Sequence, residues 1–128
     1  METDKAAATA MVRVSAPAAP RIVNNFIHDM STGTWAACVL VIWVLARQVP
    51  GMPAEAASAV RASQMVVLWL LVAALVGLAV TGGIRLSYWR QEASPAELAE
   101  KRRLLWIKHA AFAVIYGGGT LWAWSLVR

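Results

Sequence analysis

The stretch SQMVVLWLLVAALVGLAVTGGI, which covers residues Ser63–Ile84, decides the fold class of this chain. It contains no charged residue, and as an α-helix its 22 residues would extend about 33 Å. The hydrocarbon core of a bilayer is about 30 Å thick. This stretch therefore predicts a helix that spans a membrane.

Two further apolar runs, one on each side of this stretch, predict two more spans. With the stretch itself they give a three-transmembrane-helix bundle of the all-α integral membrane class, with spans at about residues 26–46, 64–86 and 105–127. Pro50-Gly51 separates the first two helices. Ser94-Pro95-Ala96-Glu97 matches a capping box with proline at the first helical position, and predicts a helix that continues into the last span.

The composition agrees with a membrane protein. Apolar residues make up 59% of the 128 residues and charged residues 15%, and the mean hydropathy is +0.56. Soluble domains are about 45–50% apolar and about 25% charged. Residues 1–22 are rich in alanine and proline without apolar periodicity, so we interpret them as a mobile tail and residues 23–128 as one three-span membrane domain.

The basic residues predict the orientation of the three spans. Nine fall on the side that holds the N-terminal tail and the loop before the third span: Lys5, Arg13, Arg21, Arg85, Arg90, Lys101, Arg102, Arg103 and Lys108. The other side has three, which are Arg47, Arg61 and Arg128. The positive-inside rule then places the N-terminus in the cytoplasm and the C-terminus outside, in what we expect to be a bacterial inner membrane.

The partners that we expect are lipids and other membrane helices. The net charge of +5 does not indicate nucleic-acid binding, because Lys101–Arg103 lies beside a span, where anionic lipid headgroups are nearer. Three helices bury limited surface, so we expect a homo-oligomer or a subunit of a membrane complex. The only cysteine, Cys38, lies among apolar residues with no base nearby, so cysteine hydrolase chemistry is not indicated.

Ionisable residues at similar depth on the three spans form the candidate site. Counted from the outer helix ends, His28 lies about 26 Å deep, His109 about 27 Å and Arg85 about 30 Å. Asp29 and Lys108 are next to the two histidines. Ionisable groups within a membrane commonly mark functional sites. Alternatively, the long basic side chains only reach to the interface, and Asp29 only pairs with Arg85 or caps its helix.

Two imidazoles on facing helices can ligate a metal, above all a haem iron from both sides. In this interpretation His28 and His109 are the ligands, while Arg85 and Lys108 neutralise the haem propionates. Each ring also needs an acceptor for its other N–H, which Asp29 or a backbone carbonyl could supply. Trp35 could pack against the porphyrin, or serve helix packing alone. A copper site is the alternative.

Several of these residues resemble the motifs of CopD-type membrane proteins and HemJ-type protoporphyrinogen oxidases. The run His28-Asp-Met-Ser-Thr-Gly-Thr-Trp35 is similar to the histidine and tryptophan that open the first span of that group. Thr81-Gly82 and Trp106-Ile-Lys108-His-Ala are similar to later landmarks. The resemblance covers about residues 26–115.

The resemblance implies a helical inner-membrane protein that binds haem b through the first-span histidine, or a copper-related protein in the CopD case. HemJ-type proteins are linked to porphyrinogen oxidation, and positions that match His28 and Lys108 are important in them. This chain departs from the group in having three predicted spans rather than four or more.

The sequence thus predicts a membrane protein that binds haem b or another metal near the cytoplasmic face, with a role in electron transfer or porphyrin oxidation. The alternative is a non-catalytic membrane anchor or assembly subunit of a larger complex. Whether the chain is an enzyme stays open at this stage.

Overall fold

A computed structural model describes residues 18–92 and 94–128 of the chain. The elements are α1 (Ala18–Gln48), α2 (Ala54–Glu92), α3 (Pro95–Phe112), a π-helical segment (Ala113–Gly117) and α4 (Gly118–Val127). Three stretches are long and apolar enough to cross a membrane: Ala18–Gln48, Ala54–Gln91 and Lys101–Val127. The predicted all-α, three-span membrane fold is confirmed.

Helix α1 begins earlier than the sequence indicated. Residues 18–22, which we had assigned to the tail, belong to its first turns. Pro20 is tolerated there, because the first N–H groups of a helix have no intrahelical acceptor. The remainder of the predicted tail, residues 1–17, lies outside the described residues.

Helices α1 and α2 are antiparallel and joined by a short turn. Met52 N donates to Val49 O over 3.1 Å, and Gly51 has a φ of +89°. Proline followed by a glycine with positive φ is typical of a type II turn. The predicted break at Pro50-Gly51 is confirmed.

Buried residues of the interface between α1 and α2 recur every three or four positions from Trp35 to Ile42 on α1 and from Gln64 to Thr81 on α2. Its buried members on α1 are Asn24, Trp35, Cys38 and Ile42, and those on α2 are Gln64, Leu68, Leu71, Ala74, Leu78 and Thr81. A side-chain hydrogen bond joins the two helices near each end of the interface. Asn24 Nδ2 donates to Thr81 O over 3.2 Å at one end, and Gln64 Nε2 donates to Ile42 O over 3.1 Å at the other. This pair of helices is the scaffold on which the third span is placed.

The third span packs mainly through its last ten residues. Helix α4 contacts both α1 and α2, and Ala123 is fully buried there. Trp35 Nε1 donates to Thr120 Oγ1 over 3.1 Å, and the Trp35 ring meets the edge of Tyr116 with centroids 4.6 Å apart. Trp35 therefore fixes the third span to α1.

The π-helical segment, which the sequence analysis did not predict, separates two differently packed halves of the third span. Before it, α3 is largely exposed, including Leu104 and Trp106. A π turn holds more residues than an α turn, so the faces before and after it are not in register. Helix α3 makes few contacts with the α1–α2 pair, and a cavity lies between them.

A capping box fixes the start of α3. Ser94 N donates to Glu97 Oε2 over 3.0 Å, and Glu97 N donates to Ser94 Oγ over 3.4 Å. These bonds from Ser94, with the charge of Lys101, hold the pKa of the Glu97 carboxyl below its usual value. The predicted helix start at Pro95 is confirmed.

Candidate functional site

The candidate site is a cavity at the end of the bundle where α1 begins, α2 ends and α3 begins, which we call the basic end. The volume of the cavity is about 490 Å³. This volume is within the range of about 300–1,000 Å³ that is typical of small-molecule sites. Its lining includes four residues singled out from the sequence, which are His28, Arg85, Lys108 and His109. The structure thus places residues from all three spans around one space.

A hydrogen bond to Thr81 fixes the orientation of the His28 ring. Thr81 Oγ1 lies 2.7 Å from Gly77 O and 2.9 Å from His28 Nδ1. The hydroxyl has one hydrogen, and it must donate that hydrogen to Gly77 O because a carbonyl only accepts. His28 Nδ1 is therefore the protonated nitrogen, and His28 Nε2 keeps its lone pair.

His109 has the same arrangement with a different acceptor. Its Nδ1 lies 2.6 Å from Leu105 O, four residues earlier on the same helix. Since this carbonyl only accepts, Nδ1 carries the proton and Nε2 is again left with its lone pair. Both histidines therefore leave Nε2 as the nitrogen able to bind a metal or accept a proton.

Asp29 does not occupy the position that the sequence suggested. The acceptor beside His28 Nδ1 is the Thr81 hydroxyl, while Asp29 is exposed on α1. Successive helical residues are rotated by about 100°, so a residue next to His28 presents a different face. Nor does Asp29 cap its helix, because α1 begins at Ala18, eleven residues upstream.

Trp35 also lies away from the cavity. Its ring packs against Tyr116 and Gly119, and a Cβ placed on Gly119 would lie 2.7 Å from that ring. Trp35 therefore serves helix packing, one of the two roles that the sequence left open.

Three cationic side chains line the cavity: Arg85 from α2, and Lys101 and Lys108 from α3. Lys108 Nζ also lies 5.4 Å from the centre of the Phe112 ring, within the range of a cation–π contact. Among the described residues, no Asp or Glu lines this space. The cavity therefore favours an anionic ligand, and one with a large apolar part, because Leu86, Leu104 and Phe112 form much of its remaining wall.

Three residues of the site were not recognised from the sequence. Thr81 was noted only for the family resemblance, Lys101 for lipid attraction together with Arg102 and Arg103, and Trp89 was not singled out. In the structure Thr81 orients His28, while Trp89 and Lys101 line the cavity. The spacing of Thr81 from Arg85, four residues on one helix face, was the available signal for the first of these.

The donor set suits a haem better than a bare metal ion. Within residues 18–92 and 94–128, no three or more His, Cys, Asp or Glu side chains lie close enough to hold a metal ion together. A haem iron needs only axial protein ligands, since the porphyrin supplies the others. Two imidazoles with engaged Nδ1 atoms and a cationic, partly apolar cavity therefore fit a haem.

No protein-family model, curated protein sequence or solved structure matches this chain.

Proposed function

We propose that this chain is a small membrane protein that binds haem b in the cavity at the basic end, where His28 and His109 would hold the iron. One observation carries the proposal. The chain contains two histidines, both line the same cavity, and both have Nδ1 committed to an acceptor so that Nε2 keeps its lone pair. Such outer hydrogen bonds are typical of metal-ligating histidines, because they fix the ring and raise its basicity.

The remaining lining fits the rest of a haem. Arg85, Lys101 and Lys108 supply positive charge for two propionate groups. Trp89 and Phe112 offer aromatic surface for a flat apolar ring. The two propionates of a haem would offset part of the charge of these three cations, which have no carboxylate beside them on the cavity wall within the described residues.

A bound haem would supply one-electron chemistry, and the residues of the chain would set how easily that chemistry proceeds. Thr81 and the Leu105 carbonyl hold the two imidazoles, and the nearby cations favour the more negatively charged state of the site. We propose a role in electron transfer or porphyrin oxidation, in line with the CopD-like and HemJ-like motifs around His28 and Lys108. Copper is the alternative cofactor.

The proposal is tested by haem content. The full chain is purified in detergent from cells supplied with a haem precursor, and haem is measured per chain together with the reduced-minus-oxidised spectrum. We expect close to one haem per chain and a sharp reduced α-band. Protein that carries no haem, and that binds none when haemin is added, would refute the proposal.

A second candidate function is that of a non-catalytic anchor subunit, and one observation favours it. Only 6% of the most apolar stretch of the third span is buried, compared with 28% for the second span. A second copy or another subunit could cover Leu104, Trp106 and Ile107 on α3. Cross-linking from an introduced cysteine at Trp106 tests this: cross-links in membranes support an oligomer or complex, and their absence supports a monomer with α3 facing lipid.

We further propose that the basic end faces the cytoplasm of a bacterial inner membrane, on the basis of the nine-to-three distribution of basic residues. A reporter that is active only in the cytoplasm should work when fused to the N-terminus and fail when fused after Arg128. The reverse pattern would place the cavity on the outer side.

A further inference from the structure

A second, smaller cavity lies at the basic end, between α1 and α2 alone. Its volume is about 190 Å³, and it is lined by Arg21, Asn24, Asn25, Arg85, Tyr88 and Trp89. Four of these six residues line only this smaller cavity, because the larger one shares just Arg85 and Trp89 with it. It therefore adjoins the larger cavity and has a largely polar wall of its own.

Two arginines line this smaller cavity. Arg21 and Arg85 approach it from different helices. A guanidinium presents several donors in a flat fork that matches a phosphate or carboxylate group. Two guanidiniums around a small space therefore favour a compact anion.

The cavity is also held in shape by contacts that do not depend on a ligand. Asn24 is 93% buried, and its Nδ2 donates to Thr81 O over 3.2 Å. The Arg21 guanidinium carbon lies 5.2 Å from the centre of the Tyr88 ring, within the range of a cation–π contact. Both contacts join α1 to α2 beside the cavity.

We propose that this smaller cavity binds a phosphate group, and that the group belongs to the headgroup of an anionic phospholipid. The position in a three-span membrane protein supports a lipid source, because the cavity lies near the end of two spanning helices. Tyr88 and Trp89 are side chains of the kind that sit at headgroup level. Basic pockets between membrane helices are known to bind lipid headgroups in this way.

The smaller cavity shares Arg85 and Trp89 with the larger one, so its test uses residues that line the smaller cavity alone. Arg21 and Asn25 line the smaller cavity only, so a change at either residue should leave haem content unaltered. Conversely, loss of haem from the histidine variants should leave lipid binding unaltered. Failure of one proposal can therefore be distinguished from failure of the other.

The experiment compares three probes on detergent-purified, delipidated full chain: phosphatidylglycerol, phosphatidylcholine and inorganic phosphate. Lipid retention is counted by native mass spectrometry, and inorganic phosphate is followed by the width of its phosphorus resonance. The variants are Arg21→Gln, Asn25→Asp and, as the matched control, Arg90→Gln. Arg90 is exposed at the same end of α2 and lies outside the wall of the smaller cavity that the described residues form.

We expect the parent to retain phosphatidylglycerol in preference to phosphatidylcholine. Arg21→Gln should weaken retention about fivefold, as expected for one lost basic contact, and Asn25→Asp should weaken it further by adding a negative charge. Arg90→Gln should behave as the parent. The phosphorus resonance of inorganic phosphate could instead broaden with the parent and less with Arg21→Gln and Asn25→Asp, while no variant retains lipid. That result would overturn the lipid assignment and indicate a site for a soluble phosphate. Equal behaviour of all variants with all three probes would overturn the proposal.

Discussion

The hydroxyl of Thr81 accepts a hydrogen bond from His28 Nδ1 over 2.9 Å while it donates to Gly77 O over 2.7 Å. This relation joins α2 to the candidate ligand of α1 and determines which imidazole nitrogen is free. It follows from two distances and from the single hydrogen of a hydroxyl. The haem proposal therefore depends on a residue that contributes no ligand of its own.

Replacement of Thr81 tests this positioning role. Thr81→Val keeps the shape but removes the acceptor, so His28 should be less well oriented and haem should bind about 10–100-fold more weakly. Thr81→Ser, which keeps the hydroxyl, should restore most of the affinity and the redox potential. Haem titration of the three proteins measures this. If Thr81→Val binds haem with the affinity and potential of the parent, the hydroxyl does not position His28.

The contact of Gly119 with Trp35 gives a second prediction, which concerns packing. In Gly119→Ala the new Cβ would lie 2.7 Å from the Trp35 ring, so the third span must shift, at a cost of about 1–3 kcal/mol. Gly118→Ala is the matched control, because nothing lies within 4 Å of its added Cβ. Thermal unfolding in detergent should show a lower Tm for Gly119→Ala only. A Tm for Gly119→Ala equal to that of Gly118→Ala would contradict the packing described for α4.

The three spans and the capping box could be predicted from the sequence because each depends on local pattern. A long apolar stretch without charged residues predicts a membrane span. A capping box is recognised by a serine and a glutamate three residues apart. The start of α1 was placed too late, because an Ala- and Pro-rich segment such as residues 18–22 has no apolar periodicity even where it is helical. Hydrophobicity alone therefore could not locate the start of α1.

The site could be predicted only in part, because helix rotation is not encoded in an apolar stretch. The similar depth of His28 and His109 followed from residue counts, and the structure does place both at one cavity. Counts could not show that Trp35 faces α4 or that Lys101 faces the cavity, since both depend on how each helix is rotated about its axis. Three consecutive glycines, Gly117–Gly119, were the only local sign that this span is irregular.

Lys101 should differ from its two basic neighbours. On sequence alone, Lys101, Arg102 and Arg103 were interchangeable contacts to anionic lipid. Because Lys101 lines the larger cavity, Lys101→Gln should weaken haem binding about fivefold, the effect of one lost charge contact. Arg102→Gln and Arg103→Gln are the controls, and should bind haem as the parent does. Equal effects of all three substitutions would return Lys101 to a lipid-contact role.

The capping box predicts a pH dependence of the start of α3. The pKa of Glu97 is lower in the folded chain, through the bonds from Ser94 and the charge of Lys101. Its stabilising effect is therefore complete above the pKa of the unfolded chain, about 4.3, and is lost as pH falls through the lower folded value. The protection factors of the Ser94, Glu97 and Leu98 amides, measured against the intrinsic exchange rate at each pH, should fall in that range. The Ser94→Ala variant should exchange faster at neutral pH and respond less to acid, and identical profiles for both proteins would exclude the capping box as the cause.

The most direct test of the haem proposal is the spectrum of the two histidine variants. His28→Ala and His109→Ala are purified beside Ser87→Ala, a control at an exposed α2 residue, and each is titrated with haemin. If both imidazoles ligate one iron, each single variant should lose haem or become high-spin with the one ligand that remains, and the double variant should bind no haem. Ser87→Ala should keep the low-spin spectrum. A parent-like spectrum in both single histidine variants would contradict axial ligation by His28 and His109.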